Sequence, residues 1–188
     1  MQERVELFID GENLMTRFEA MLARGYRPRS MVDYDPGVYV ASWGMVLIGG
    51  NAPVRSNYYT ATIGSEDRLE EIRRTISSRR YDGNGTGHPL ATLRPKVFKK
   101  ERRSQKTKSV DINLTTDVLR CAHSGHVDRI VVISGDGDYI PVYEEVMRLG
   151  RRVTVGALSD GLNPLIRPRV DAFVELDSEL LDSPYNNE

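Results

Sequence analysis

The chain reads as an α/β protein, a three-layer sandwich with a mainly parallel central sheet flanked by helices, and three observations predict this. Apolar runs of strand length alternate with segments whose apolar residues recur at helical spacing, the alternation that builds βαβ units with right-handed crossovers. Acidic residues stand where apolar runs stop: Asp10 ends "RVELFID", while Asp136 and Asp138 follow "RIVVIS". The 188 residues, 39% hydrophobic and 28% charged, suit one soluble domain with a single sizeable core.

Taken in order, "RVELFID" is a buried strand, and "NLMTRFEAMLARG" is a helix with Leu14, Phe18, Met21 and Leu22 on one face and Gly25 as its stop. "YDPGVYVASWGMVLIGGN" fits strand or helix; Pro36 suits a first helical turn and tips the reading to helix. "RSNYYTATI" is a strand, after which Ser65, Glu66 and Asp67 open a helix carrying Leu69, Ile72 and Ile76. "YDGNGTGHP" is loop chemistry, and "LATLRPKVF" is a strand that Pro95 pushes toward a sheet edge. A helix over about 110–122, the strand "RIVVIS", a helix over about 139–149, the strand "RRVTVGAL" and a short strand "DAFVEL" complete the pattern. Residues 1–177 are thus expected to form one domain and 178–188 a frayed tail.

The formal net charge of −1 hides an asymmetry. A basic loop at about 94–108, "RPKVFKKERRSQKTK", holds eight Lys or Arg against Glu101 alone, so the rest of the chain is strongly acidic. That polarity points to a polyanionic partner addressed locally, or to a solvated loop. Nothing approaches the roughly 20 apolar residues of a membrane span, and "MQERVELFID" has neither the charge nor the apolar length of a secretory leader. Cys121 is the sole cysteine, which excludes a disulfide framework and makes a reducing cytoplasm the expected location.

Strands of a parallel sheet present their carboxyl ends to ligands, so Asp10, Asp136 and Asp138 converge on one edge. Helical geometry adds a fourth acid: with Val110 at zero, Leu114, Val118, Cys121 and Ala122 span an apolar arc, and Asp111, at about 100°, falls inside it. A carboxylate there is either compensated by a ligand or is a first-turn residue favoured by the helix dipole. Asp117, at about 340°, lies on the margin of the arc, as a solvated edge residue or as outer support for the site. Four converging acids repel unless a cation neutralises them, and hard oxygen ligands without His or Cys favour Mg²⁺ or Mn²⁺ over zinc. "GDGD" also reads as a plain turn in which Asp138 caps the next helix. An EF-hand starting at Asp136 fails, because its sixth and twelfth positions would be Pro141 and Met147. "CAHSGH" offers Cys121, His123 and His126 but no evident fourth ligand, so it reads as a helix end turning at Gly125. P-loop, dinucleotide and nucleophile-elbow motifs are absent from the sequence.

"FIDGENL", "TKSVDINLTTDVL", "VVISGDGDYIPVYEEVMRLGRRVTV" and "DAFVEL" together resemble the NYN domain, a branch of the PIN-like nucleases, and most of all its LabA-like bacterial subgroup. The resemblance runs in order from Asp10 to Leu176. It implies a metal-dependent ribonuclease with Asp10, Asp111, Asp136 and Asp138 at its acidic cluster, Asp10 and Asp136 as main Mg²⁺ or Mn²⁺ ligands, and RNA as partner. Asn13, Ser134 and Lys108 also fall on positions of the family pattern. Asn13 and Ser134 would orient water or the ligands, or serve simply as a helix N-cap and a strand-end hydroxyl. Ser109 stands where Gly is common and Tyr139 where Phe is common; Tyr139 is expected just to pack. From charge, Arg102, Arg103, Lys106 and Lys108 are expected to meet backbone phosphates. Two other functions fit less well. One is an RNA-binding or regulatory module of the same fold with little turnover; a homodimer is left open. The other is a haloacid-dehalogenase-like phosphatase, which would want acids where Glu12 and Ile140 stand.

Overall fold

A computed structural model of the chain describes residues 3–48, 50–81, 91–100 and 108–184. β1 (Val5–Asp10), buried along its whole length, runs straight into α1 (Gly11–Ala23). The two-residue β2 (Arg27–Pro28) precedes an antiparallel pair, β3 (Val32–Asp35) and β4 (Tyr39–Ser42), and the one-turn α2 (Trp43–Val46). β5 (Arg55–Thr62), α3 (Glu66–Ser77), β6 (Arg80–Tyr81), β7 (Ala91–Lys99) and α4 (Lys108–Ser124) follow. β8 (Arg129–Ile133) leads through a 3₁₀ turn at Gly137–Tyr139 into α5 (Ile140–Arg148). β9 (Arg152–Ala157), β10 (Ala172–Glu175), α6 (Asp177–Leu180) and β11 (Leu181–Asp182) finish the order.

The seven-stranded sheet runs β10-β9-β8-β1-β5-β7-β6, parallel throughout except for β6 against β7. This is the three-layer α/β architecture that the alternating pattern predicts. β1 is central, and its alternate side chains feed two cores. Val5, Leu7 and Ile9 join Leu14 and Phe18 of α1, Leu69, Ile72 and Ile76 of α3, and the β3–β4 pair on one face. Phe8 joins Val110, Leu114 and Val118 of α4 and Tyr143 and Val146 of α5 on the other. Pro95 pairs in register with Tyr58 of β5, while β6 reaches only Ala91 and Thr92, so the proline lies where β7 is the open edge, as expected of a residue without an N–H.

Two expectations are corrected. The region from Tyr34 to Asn51 is mainly a hairpin rather than a helix: Val38 N–H closes a turn on the Asp35 carbonyl (2.9 Å), and Gly37 takes φ 68°, the left-handed conformation that a Pro-Gly turn needs at its second corner. Turn chemistry outweighs the crowded apolar residues, and helix survives only at Trp43–Val46, where Ser42 Oγ accepts the Met45 N–H (3.1 Å). The C-terminal segment is also not frayed from 178 onward. Leu180 and Leu181 are buried in the first core, and β11 pairs antiparallel with β2, so apolar burial holds the chain through Asp182.

Candidate active site

β1 and β8 lie side by side with Ile9 opposite Ile133, so Asp10 and Ser134 leave the sheet together. From there α1 turns to one face and α5 to the other, which opens a crevice at the carboxyl edge of the sheet. The crevice is a cavity of about 450 Å³ whose walls include Asp10, Asn13, Asp111 and Asp136, together with Glu12, Thr16, Arg17, Lys100 and Asn163.

Asp10 is its buried floor, 3% exposed. Oδ1 caps α1 by accepting the Asn13 N–H (3.0 Å), while Oδ2 accepts from the Ser134 hydroxyl (3.1 Å) and the Tyr139 hydroxyl (3.3 Å). Burial nevertheless dominates and pushes its carboxyl up to about 6; the hydrogen bond from Asn13 acts downward, and the charge of Asp111 upward. The glycine after it is obligatory on packing grounds, since a Cβ at Gly11 would stand 2.3 Å from Tyr58 Cε1 and 2.6 Å from the Tyr59 carbonyl oxygen.

The "GDGD" turn is tied to this floor from several sides. Ser134 Oγ accepts the Asp136 N–H (3.2 Å) while donating to Asp10, and Asn13 Oδ1 accepts the Gly135 N–H (3.1 Å). Asn13 is therefore a strut between α1 and the turn; the N-cap of α1 is Asp10. Asp136, not Asp138, caps the turn: its Oδ1 accepts the Asp138 N–H (3.0 Å). The chain coils into the 3₁₀ turn directly after Asp136, which carries Asp138 to the exposed surface and off the cavity wall. A Cβ at Gly137 would fall 2.0 Å from Asn163 Nδ2, so the second glycine lets the turn pack against that side chain.

Asp111 combines the two features its position suggests, a first-turn carboxylate and a place on the cavity wall. It stands in the first turn of α4, where the helix dipole favours an anion, and it lines the cavity. Tyr139 does more than pack. Its single hydroxyl hydrogen is shared between Asp10 Oδ2 (3.3 Å) and Asp111 Oδ1 (3.1 Å), bridging two like charges. Burial pushes that phenol far above its ordinary value, so it stays a donor.

Asp117 is neither at this cavity nor a freely solvated edge residue. It lines a second cavity, where it accepts from Tyr59 (2.9 Å) and from Lys96. The basic segment begins as β7, so Arg94 and Lys96 are strand residues, and Lys100 pairs with Glu12 (3.0 Å) on the wall of the first cavity. Arg102, Arg103 and Lys106 lie outside the described residues, as does most of "YDGNGTGHP"; Lys108 starts α4, with its side chain outside the described part. Sequence reasoning missed Glu12 and Arg17 of α1, and Lys100 and Asn163, which reach the cavity from more distant segments.

The donor set suits a hard divalent cation. Asp10, Asp111 and Asp136 offer only carboxylate oxygens, and a buried carboxylate whose ionisation is resisted is stabilised by a positive neighbour. Among the described residues no three of these carboxylates bring oxygens within 4.8 Å of one another. Mg²⁺ in general keeps several waters and takes one or two carboxylates rather than a closed protein cage.

The NYN domain family model matches residues 4–177. Among solved structures, a protein of unknown function from Vibrio parahaemolyticus RIMD 2210633 is similar in fold, with a TM-score of 0.60 and 20% identity over 97% of this chain and 100% of that one. No curated protein matches the chain.

Proposed function

Because this chain belongs to the NYN domain family, within the PIN-like nuclease superfamily, we propose that it is a metal-dependent ribonuclease that hydrolyses RNA phosphodiester bonds at the Asp10 cavity. The observation that carries this reading is the buried Asp10 carboxyl, pushed up to about 6 and sharing one cavity with Asp111 and Asp136. Asp10 and Asp136 are the main ligands for Mg²⁺ or Mn²⁺, with Asp111 in support; Asp138 contributes through its backbone N–H, which orients Asp136. When bound, the cation lowers the pKa of its water and offsets charge that develops on the phosphoryl group. Ser134 and Tyr139 hold Asp10 in one orientation, and Asn13 fixes the height of the turn that carries Asp136. Lys100 and Arg17, on the cavity wall, are placed for substrate phosphates, and Arg102, Arg103, Lys106 and Lys108 would extend that track with little sequence choice. Placement in the LabA-like subgroup, a single domain that runs on through Asp182 and a cytoplasmic setting belong to the same proposal. Among the described residues no helix is long and apolar enough to cross a membrane.

The test is incubation of the purified protein with labelled single-stranded RNA, duplex RNA and DNA in Mn²⁺, Mg²⁺ or EDTA, alongside Asp136→Asn. Cleavage of RNA that needs the cation and drops at least about a hundredfold in the variant is expected, the scale of losing a group that stabilises transition-state charge. Cleavage undiminished in the variant would remove the catalytic assignment. Binding without cleavage would favour a regulatory module.

A further inference from the structure

At the opposite end of β1 from Asp10, Glu6, Cys121 and His126 bring a carboxylate oxygen, a thiol sulfur and an imidazole nitrogen within 4.8 Å of one another, the one such trio among the described residues. We propose that this trio binds a zinc-class divalent cation, at a site separate from the aspartate cavity and independent of the ribonuclease reading.

Distances carry the first part of the case. Glu6 Oε2 lies 3.3 Å from Cys121 Sγ and 3.6 Å from His126 Nε2. Tetrahedral ligands at about 2.3 Å (sulfur) and about 2.0 Å (oxygen or nitrogen) from zinc stand roughly 3.3 to 3.5 Å apart, so the trio is nearly at coordination spacing already. The carboxylate is held ready. Asn57 Nδ2 donates to Glu6 Oε1 (3.0 Å) and to the Leu7 carbonyl (3.3 Å), which leaves Oε2 facing the other two ligands. Glu6 is 5% exposed and Cys121 6% exposed, while His126 is accessible and can close on an arriving ion.

Hydrogen-bond logic carries the second part. The Ser124 hydroxyl donates its single hydrogen to the Cys121 carbonyl (2.6 Å), and the same oxygen contacts His126 Nδ1, so Nδ1 is the donor there. In the neutral ring Nε2 then carries a lone pair, aimed at a carboxylate oxygen at a separation too long for a hydrogen bond. Glu6 Oε2 accepts the Cys121 S–H (3.3 Å) and lies 4.0 Å from Arg55 Nη1, so a cation seated among sulfur, imidazole nitrogen and this oxygen would take the place of the thiol proton. A soft thiol among the ligands selects zinc over Mg²⁺ or Ca²⁺.

Charge does not bar the ion. Arg55, Arg94, Lys96 and Arg120 line the same cavity of about 440 Å³ and would repel a bare dication, with Asp117 offsetting one of them. Zn²⁺ with one thiolate and one carboxylate is formally neutral, however, and the thiol proton leaves to solvent on binding, as metal ligation requires. His123 belongs to a different environment: its Nδ1 donates to the Leu119 carbonyl (2.8 Å) on the helix. The turn at Gly125, with φ 72°, brings His126 rather than His123 back toward Glu6.

The test uses the full chain, stripped with chelator under reducing conditions and titrated with Zn²⁺ and, as a spectroscopic substitute, Co²⁺. One equivalent of Zn²⁺ should bind, and Co²⁺ should give a thiolate-to-cobalt charge-transfer band with the intense visible bands of tetrahedral coordination. Cys121→Ser should abolish the charge-transfer band, His126→Ala should weaken Zn²⁺ binding by more than about tenfold, and His123→Ala should change neither. Asp136→Asn should leave the band intact, which separates this site from the aspartate cavity and from any failure of the ribonuclease proposal. A wild-type protein without the band, or a band that survives in Cys121→Ser, overturns the assignment. His126 is exposed, so the His126→Ala arm decides even if the buried cysteine variant does not fold: Zn²⁺ affinity unchanged there equally overturns it.

Discussion

Replacing Asp10 by Asn removes the most heavily penalised charge in the cavity, and the resulting change in stability is predictable in sign and size. The unfolded carboxyl ionises near 3.8 and the folded one near 6. Below the lower value both states hold the proton and the site costs nothing. Between the two, the folded state keeps a proton that the unfolded state has released, so stability falls as pH rises. Above about 6 the full penalty is present, about 3 kcal/mol at 1.36 kcal/mol per unit. An Asn carbonyl can still accept the Asn13 N–H, but its amide meets the Ser134 and Tyr139 hydroxyls as a second donor, and reorienting them returns about 1 kcal/mol. Asp10→Asn is therefore expected to gain about 2 kcal/mol at pH 7 in EDTA and to lose about 0.5 kcal/mol at pH 4, read as the difference between urea unfolding curves of the two proteins across that range. Added Mg²⁺ or Mn²⁺ should raise the wild type and not the variant, by mass action on the folded state. A wild-type-minus-variant difference that stays flat from pH 4 to 7 would refute the reasoning, because every other titrating group is common to both.

Two further changes probe features that the structure revealed. Tyr139→Phe removes the hydroxyl shared by Asp10 and Asp111; it should cost about 1 to 2 kcal/mol at neutral pH in EDTA and move the Asp10 titration upward, measured by carboxyl carbon NMR, and an unmoved titration would show that the bridge does not screen the pair. Leu180→Ala, at a fully buried position, should cost about 2 to 4 kcal/mol in urea unfolding, whereas a change below about 0.5 kcal/mol would return the segment after 177 to the status of a loose tail.

The parts of this molecule legible in its sequence are those fixed by local period. Asp10 and Asp136 are brought together by strand ends alone, whereas Ser134 enters only through the family resemblance, and the helical arc places Asp111 inward. What stayed hidden depends on register and on distant partners. The Lys100–Glu12 pair joins residues 88 apart, and no spacing rule connects them. Tyr139 looked like a filler because an aromatic ring beside an apolar helix face packs in either case; only the rotamer that carries its hydroxyl between two carboxylates gives it a second role. Asp117 sits on the margin of the apolar arc, and which neighbour claims it is decided by β7 supplying Lys96. Glu6 was unreadable as a ligand, since within a strand it is one polar residue among apolar ones, and its partners come from the far end of α4. The helix expected over the hairpin region fails because Pro36 serves as the first corner of a Pro-Gly turn rather than as a first helical turn.

α4 is tied to β1 at two marks, through the Tyr139 hydroxyl between Asp111 and Asp10 at one end of the strand and directly from Cys121 to Glu6 at the other. The ten-residue interval on the helix measures about 15 Å, and the four-residue interval from Glu6 to Asp10 about 13 Å, so the two scales nearly coincide. A residue inserted or deleted between those marks would swing one of them by about 100° around the helix axis. The length of this stretch is thus itself a specification, and homologues that keep both marks should vary in its side chains but not in its residue count.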